Sequence, residues 1–254
     1  PLQREKFGEQ PCGDRHRRAA QPGRNDRADL RHRDQHAPDY LKLNPNGVVP
    51  TLVHDGIVIL DSRVICEYLD EKFPETPLKP ASPAGKVRMR YWTKFIDEYV
   101  HAMCAVLTFT TSHRHTINRL GPEGVEEYLS KTPNPDLERR KREWLTLGFD
   151  GPEVVKAVKT FDKLLQDMDT TLADNEWLAG DRFSLADIAV IPYVNRLDVL
   201  NMLAPWPPQR PRVMDWFEHM KARPSFHPAI DEYMPESLTN DFRTNGAKSW
   251  PEVE

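Results

Sequence analysis

One stretch of this chain carries a hairpin pattern, and it limits every fold the rest can adopt. Thr51-Leu52-Val53 and Ile57 to Leu60 are short apolar runs separated by His54-Asp55-Gly56. A glycine there supplies the positive φ that a tight hairpin turn requires, so the runs should pair antiparallel. Pro50 stands directly before the first run, between Val49 and Thr51, where a missing ladder donor is ordinarily unwelcome. A lone hairpin is marginal in water and needs cover. The first candidate follows at once: Asp61-Ser62 precede Val64, Ile65, Tyr68, Leu69 and Phe73, apolar positions at helical spacing that stop at Phe73-Pro74.

Residues 74–85, PETPLKPASPAG, hold four prolines and one glycine and read as an interdomain linker, with a boundary near residue 80. Beyond it the period is helical only. Met89, Trp92, Phe95, Ile96, Tyr99, Met103, Val106 and Leu107 mark a long helix of roughly 25 residues. A second runs from about Pro152 to Leu172. Between them lie about 40 mostly polar residues in which Pro122, Pro133 and Pro135 break short helical pieces. Ser184 and Asp187 form a capping-box pattern, with Phe183 placed to staple onto the first turn of an apolar helix. One more amphipathic helix, VMDWFEHMKARPSF, closes at Arg223-Pro224. The tail from about Glu236 is polar and reads as loosely packed or disordered.

Composition narrows the class. The chain has 254 residues, 39% hydrophobic and 29% charged, with a net charge of −4, enough for one large or two small domains with real cores. No apolar run is long enough to span a bilayer and none near the start resembles a signal-peptide core, so the expectation is a cytoplasmic protein without a membrane partner. Cys12, Cys66 and Cys104 are widely spaced and odd in number, which supports neither a disulfide framework nor a metal site; Cys66 and Cys104 read as small buried hydrophobes. His113 and His115 have metal-like spacing but no third ligand nearby. His54 reads as a solvated turn residue.

Taken in order and spacing, NPNGVVPTL, DSRVICEYLDEKFP, WLAGDRFSLADIAV and MKARPSF resemble the cytosolic glutathione S-transferase superfamily over roughly residues 35–235. The insert KTPNPDLERRKREWLTLGF resembles the bacterial β-aryl-etherase branch. The fold this implies is a thioredoxin-like α/β N-terminal domain followed by an all-helical C-terminal domain. Residues 37–80 would be the remainder of the glutathione-binding domain, 81–235 the helical domain and 236–254 a polar tail.

The resemblance also implies a site. Pro50 would be the family's cis-proline, and the backbone of Val49 would pair with the cysteinyl unit of glutathione like an added strand. Asp61 and Ser62 would sit at a helix N-terminus, Ser62 and the free N–H groups receiving the γ-glutamyl carboxylate and Asp61 its amino group. Arg63 would support the same end of the ligand. Gly47 stands where some relatives carry a ligand-contacting His, leaving Asn46 as a candidate for the glycine carboxylate. Tyr99, Met103 and Leu107 lie where the family faces its acceptor substrate, although their spacing alone makes them core residues. Asp61-Ser62 reads equally as a plain helix cap when taken alone; the Val49-Pro50 pair upstream favours the ligand reading. Capping fully explains Ser184 and Asp187.

Residues 1–36 fit none of this. They hold eight Arg and no Val, Ile, Tyr or Trp, carry a net charge of +3 against −7 for the remainder, and admit no strand pattern where the family has its first β-α-β unit and its catalytic Tyr, Ser or Cys. The segment reads as atypical and basic, disordered or misassigned. Three explanations stand: a basic arm for nucleic acid, a divergent folded segment with Cys12 as thiol nucleophile, or a reading-frame error upstream of QHAPDYLKLNPNG. Interleaved acidic residues and the lack of an aromatic platform count against nucleic acid, and the abrupt return of the family pattern, with the missing initiator Met, favours the last.

The function implied is that of a glutathione transferase with detoxifying chemistry, a homodimer, in which the thiolate of glutathione attacks a small apolar electrophile such as a β-aryl ether. The alternative is a glutathione-transferase-like binding or assembly module without chemistry.

Overall fold

The computed structural model describes residues 34–132, 134–206 and 208–250. Cys12, Pro133 and the basic segment as far as residue 33 lie outside the described residues. The elements in chain order are α1 (Pro38–Leu43), β1 (Thr51–His54), β2 (Ile57–Leu60), α2 (Ser62–Lys72), α3 (Pro83–Phe95), α4 (His101–Thr108), α5 (Arg114–Asn118), α6 (Gly121–Ser130), α7 (Pro135–Leu147), α8 (Pro152–Thr171), α9 (Leu185–Val199), α10 (Pro211–Lys221), α11 (Phe226–Ala229) and α12 (Glu236–Ser249). Two wide π turns, Ile96–Val100 and Phe109–His113, join α3, α4 and α5 into one continuous helical run. The expected single helix is therefore longer than its apolar spacing suggested.

The chain divides into two compact units. The first comprises residues 34–93 with Trp177–Ala189 and Met220–Tyr233. Its hairpin is antiparallel, pairing Thr51 with Leu60, Leu52 with Ile59, Val53 with Val58 and His54 with Ile57. Asp55 and Gly56 both have positive φ, which matches the right-handed twist of a two-residue turn. Ile59, Ile65 and Leu69 form a small core, with Leu52, Tyr68 and Phe73 packed against it. His54 is not a solvated turn residue: its Nδ1 lies 2.7 Å from the Tyr68 hydroxyl and its ring packs edge-on to Tyr68. The turn is thereby tied to α2, and Lys72 adds a 3.2 Å ion pair to Asp55.

The proline-rich segment lacks regular structure only over residues 74–82, its last three residues forming the start of α3, and it is anchored. Buried Asp70 accepts hydrogen bonds from the N–H groups of Leu78 and Lys79, and the Leu78 carbonyl accepts one from Leu185. The capping box holds: Ser184 Oγ accepts from the Ala186 N–H, and fully buried Asp187 accepts from Ser184 N–H and Oγ and from Leu178 N–H, each at 3.0 Å. Cys66 and Cys104 are both buried, as their reading as small core residues expects.

The second unit comprises Lys94–Glu176, Val190–His219 and the residues from Met234 onward, and its described part is helical. Leu107, Phe161, Leu164, Met168 and Phe217 are fully buried in it. The tail, expected to pack loosely, is the helix α12. Its few apolar groups are supplemented by polar ones: Asn245 Nδ2 donates to the Ser112 carbonyl, Ser249 Oγ donates to the Thr111 carbonyl, and His115 Nε2 lies 2.6 Å from Ser249 Oγ. Phe242 is buried against the ring of His113 and under the Arg196 guanidinium. Gly246 permits this docking, since a Cβ there would fall 1.6 Å from the Leu200 carbonyl oxygen. No helix of the described residues is long and apolar enough to cross a membrane.

Candidate functional site

The hairpin register places the candidate residues. Thr51 pairs with Leu60, so Val49-Pro50, which enter β1, and Asp61-Ser62, which leave β2, project from the same end of the ladder, on strands about 5 Å apart. The Val49-Pro50 peptide bond is cis, as the family resemblance implied.

Asp61 adopts φ 72°, unusual for a residue other than glycine, and caps α2: its Oδ1 accepts from the N–H groups of Arg63 at 2.9 Å and Val64 at 3.2 Å. Two of the N–H groups expected to be open for a ligand are therefore taken. Ser62 keeps its N–H at the first helical position, and its hydroxyl makes no hydrogen bond among the described residues. A half-buried hydroxyl, an orphan N–H and the positive end of an eleven-residue helix together suit a carboxylate. Arg63 follows on the same turn. Asn46 is exposed in the preceding loop, its N–H donated to Asn44 Oδ1.

Gly47 has φ 62°, and a Cβ on it would meet His36 Nδ1 at 2.8 Å. The space a side chain would take at position 47 is thus occupied by the His36 imidazole, a neighbour the sequence did not suggest. Two further residues were missed. Tyr40 Oη donates to the Val48 carbonyl at 2.6 Å, and Asn44 Nδ2 donates to the same oxygen at 2.7 Å. Their spacing of four residues, one helical turn, was the available signal.

The three expected acceptor-site residues belong to the second unit and differ among themselves. Tyr99 lies in the first π turn, 53% exposed, with its ring 5.6 Å from that of Phe95. Met103 is buried, and Leu107 has no exposed surface at all. The wide turn changes the phase of the side chains on either side of it, so even spacing in sequence does not put Tyr99 on the face of the other two. A separate cavity of about 390 Å³ in this unit is lined by Leu165, Leu203, Trp206, Arg210 and Met214. The Arg210 guanidinium is committed to Asp162 at 2.6 Å, which leaves Asp215 as the other charged residue of a mainly apolar lining. Among the described residues no cluster of His, Cys, Asp and Glu could hold a metal ion.

Comparison with known proteins bears on the whole arrangement. The family description "Glutathione S-transferase, N-terminal domain" matches residues 28–77, and "Glutathione S-transferase, C-terminal domain" matches 124–219, together more than half of the chain. The chain is 29% identical to protein LigF of Sphingobium sp. over 81% of its own length and 82% of that protein. It is 29% identical to a tetrachloro-p-hydroquinone reductive dehalogenase of Sphingobium chlorophenolicum, covering 76% and 78% of the two chains. The crystal structure of the β-etherase LigF superposes with a TM-score of 0.63 at 28% identity, covering 81% of this chain and 86% of that one.

Proposed function

Because the chain belongs to the glutathione S-transferase superfamily, we propose that it is a glutathione-dependent transferase that joins the tripeptide's sulfur to an electrophilic carbon of a small apolar acceptor. The observation that carries this reading is the meeting of Val49-Pro50 with the Ser62 end of α2 at one end of the hairpin. The main chain of Val49 pairs with the cysteinyl unit of glutathione. Ser62 N–H and Oγ take the γ-glutamyl carboxylate, Asp61 Oδ2 takes the γ-glutamyl amino group, Arg63 supports that end, and Asn46 lies toward the glycine carboxylate.

The acceptor class that the relatives' names support best is a β-aryl ether. In that reaction the glutathione thiolate forms a C–S bond as the C–O bond breaks; the electron pair leaves with the aryl oxygen, which takes a proton to become a phenol. Of the three expected acceptor residues, exposed Tyr99 offers an aromatic surface for such a ring, while Met103 and Leu107 serve the core of the helical unit. The group that turns the thiol into thiolate is not assigned; Cys12 is the one candidate the sequence offers.

The test is calorimetric titration with glutathione followed by incubation with a β-aryl ether bearing a chromogenic phenol. Binding with glutathione-dependent phenol release supports the reading. Binding without turnover of any electrophile makes the protein a binding module, and absence of binding removes the site.

In the same reading the protein is a cytoplasmic homodimer serving detoxification. Val64 on α2 and Val87 and Tyr91 on α3 are exposed apolar groups, and the Arg90–Glu67 pair at 4.0 Å links their two helices into one surface for a second copy. Tyr91→Glu should yield monomers by light scattering; an unchanged dimer would place the interface elsewhere.

A further inference from the structure

The loop that carries Val49 is held by a closed ring of hydrogen bonds. Asn44 is buried, and the Asn46 N–H donated to its Oδ1 settles which end of the amide is the carbonyl. Its Nδ2 therefore has two protons to give, and they go to the Val48 carbonyl at 2.7 Å and to Thr51 Oγ1 at 3.4 Å. Tyr40 Oη spends its proton on the Val48 carbonyl at 2.6 Å, so in its 2.9 Å contact with Thr51 it must accept. The Thr51 hydroxyl accordingly receives from Asn44 and donates to Tyr40.

Every proton in the ring is committed, and both lone pairs of the Val48 oxygen are filled. Residues 48 and 51 are the two flanks of Val49-Pro50. From this we infer that Tyr40, Asn44 and Thr51 are positioning residues that set the main-chain direction of Val49, and so the affinity for glutathione, without touching the ligand. The inference rests on the reading of Val49 as the main-chain partner of glutathione.

Glutathione titration of wild type, Tyr40→Phe, Thr51→Val and Thr51→Ser, each with a thermal melt, tests it. Lys42→Ala, whose ammonium pairs with Asp39 on the same helix, serves as control. Tyr40→Phe removes two ring bonds and Thr51→Val two, one of them the long 3.4 Å one, so glutathione binding should weaken by about 3- to 10-fold in Tyr40→Phe and by a smaller factor in Thr51→Val, from the net worth of a hydrogen bond. Thr51→Ser restores the hydroxyl and should restore wild-type affinity, and Lys42→Ala should match wild type. Wild-type affinity in folded Tyr40→Phe and Thr51→Val, whatever their melting temperatures, would reduce the ring to a structural role and overturn the inference. Absence of glutathione binding by wild type would instead overturn the reading beneath it, and the inference with it.

Discussion

The two units hold their residues in place by different means. In the helical unit, Phe161, Leu164, Met168 and Phe217 are wholly enclosed, and position follows from packing. At the ligand end of the hairpin hardly anything is enclosed. Val48 is exposed, Val49, Pro50 and Ser62 are half-buried, and position is set by hydrogen bonds that Tyr40 and Asn44 donate and that Asp61 accepts. A packed core resists change but offers no open main chain. A polar scaffold leaves main-chain groups facing outward, at the cost of little stability of its own.

The comparison breaks if damage to the helical core is mild. Phe161→Ala should cost about 3–5 kcal/mol, read as a large fall in the denaturant midpoint, because a fully buried ring leaves a cavity. Changes at the hairpin end should act on binding instead. Ser62→Ala should weaken glutathione by about 10-fold or more, the worth of a hydrogen bond to a charged group, with the melting temperature nearly unchanged.

Asp61→Asn sharpens the contrast further, since Asn caps a helix as well as Asp and tolerates positive φ. Stability should stay within about 0.5 kcal/mol of wild type while glutathione affinity falls several-fold, isolating the carboxylate's charge from its capping role. Equal losses of both would show that Asp61 only caps.

The smallest effect belongs to the charged surface of the second unit. A hydrogen bond from Arg142 holds the Glu126 carboxyl below its ordinary range. A folded-state pKa below the unfolded one contributes stability that is complete above the unfolded value and fades as pH falls through the folded one. Glu126→Gln should therefore lower the melting point slightly at neutral pH, and the difference from wild type should close below about pH 4.

What could be read from the sequence was what local rules decide. The Asp55-Gly56 turn, the Asp61-Ser62 helix start, the Ser184-Asp187 capping box and the Pro152 helix start each depend on a few adjacent residues, and each stands where expected. The misses depend on distant partners. His54 meets Tyr68 fourteen residues on, and α12 is held by Ser112 and Thr111 more than 130 residues earlier. Its polar composition hid a helix whose docking needs the missing side chain of Gly246 as much as the ring of Phe242. The candidate site divided in the same way: Val49, Pro50, Asp61 and Ser62 were visible as motif, whereas the ring of Tyr40, Asn44 and Thr51 appears only once Val48 has folded back over α1.

The hairpin and α2 run alongside each other as rails of similar length, about 13 Å for four paired residues and about 16 Å for eleven helical ones. One end of the pair carries Val49 and Ser62. The other carries the turn, clamped to the last turns of the helix through His54–Tyr68 and Asp55–Lys72. The turn is thus the natural place to graft a label or peptide: lengthening it leaves the Thr51–Leu60 pairing untouched, so a reporter there would ride on the same rigid frame without approaching the ligand end.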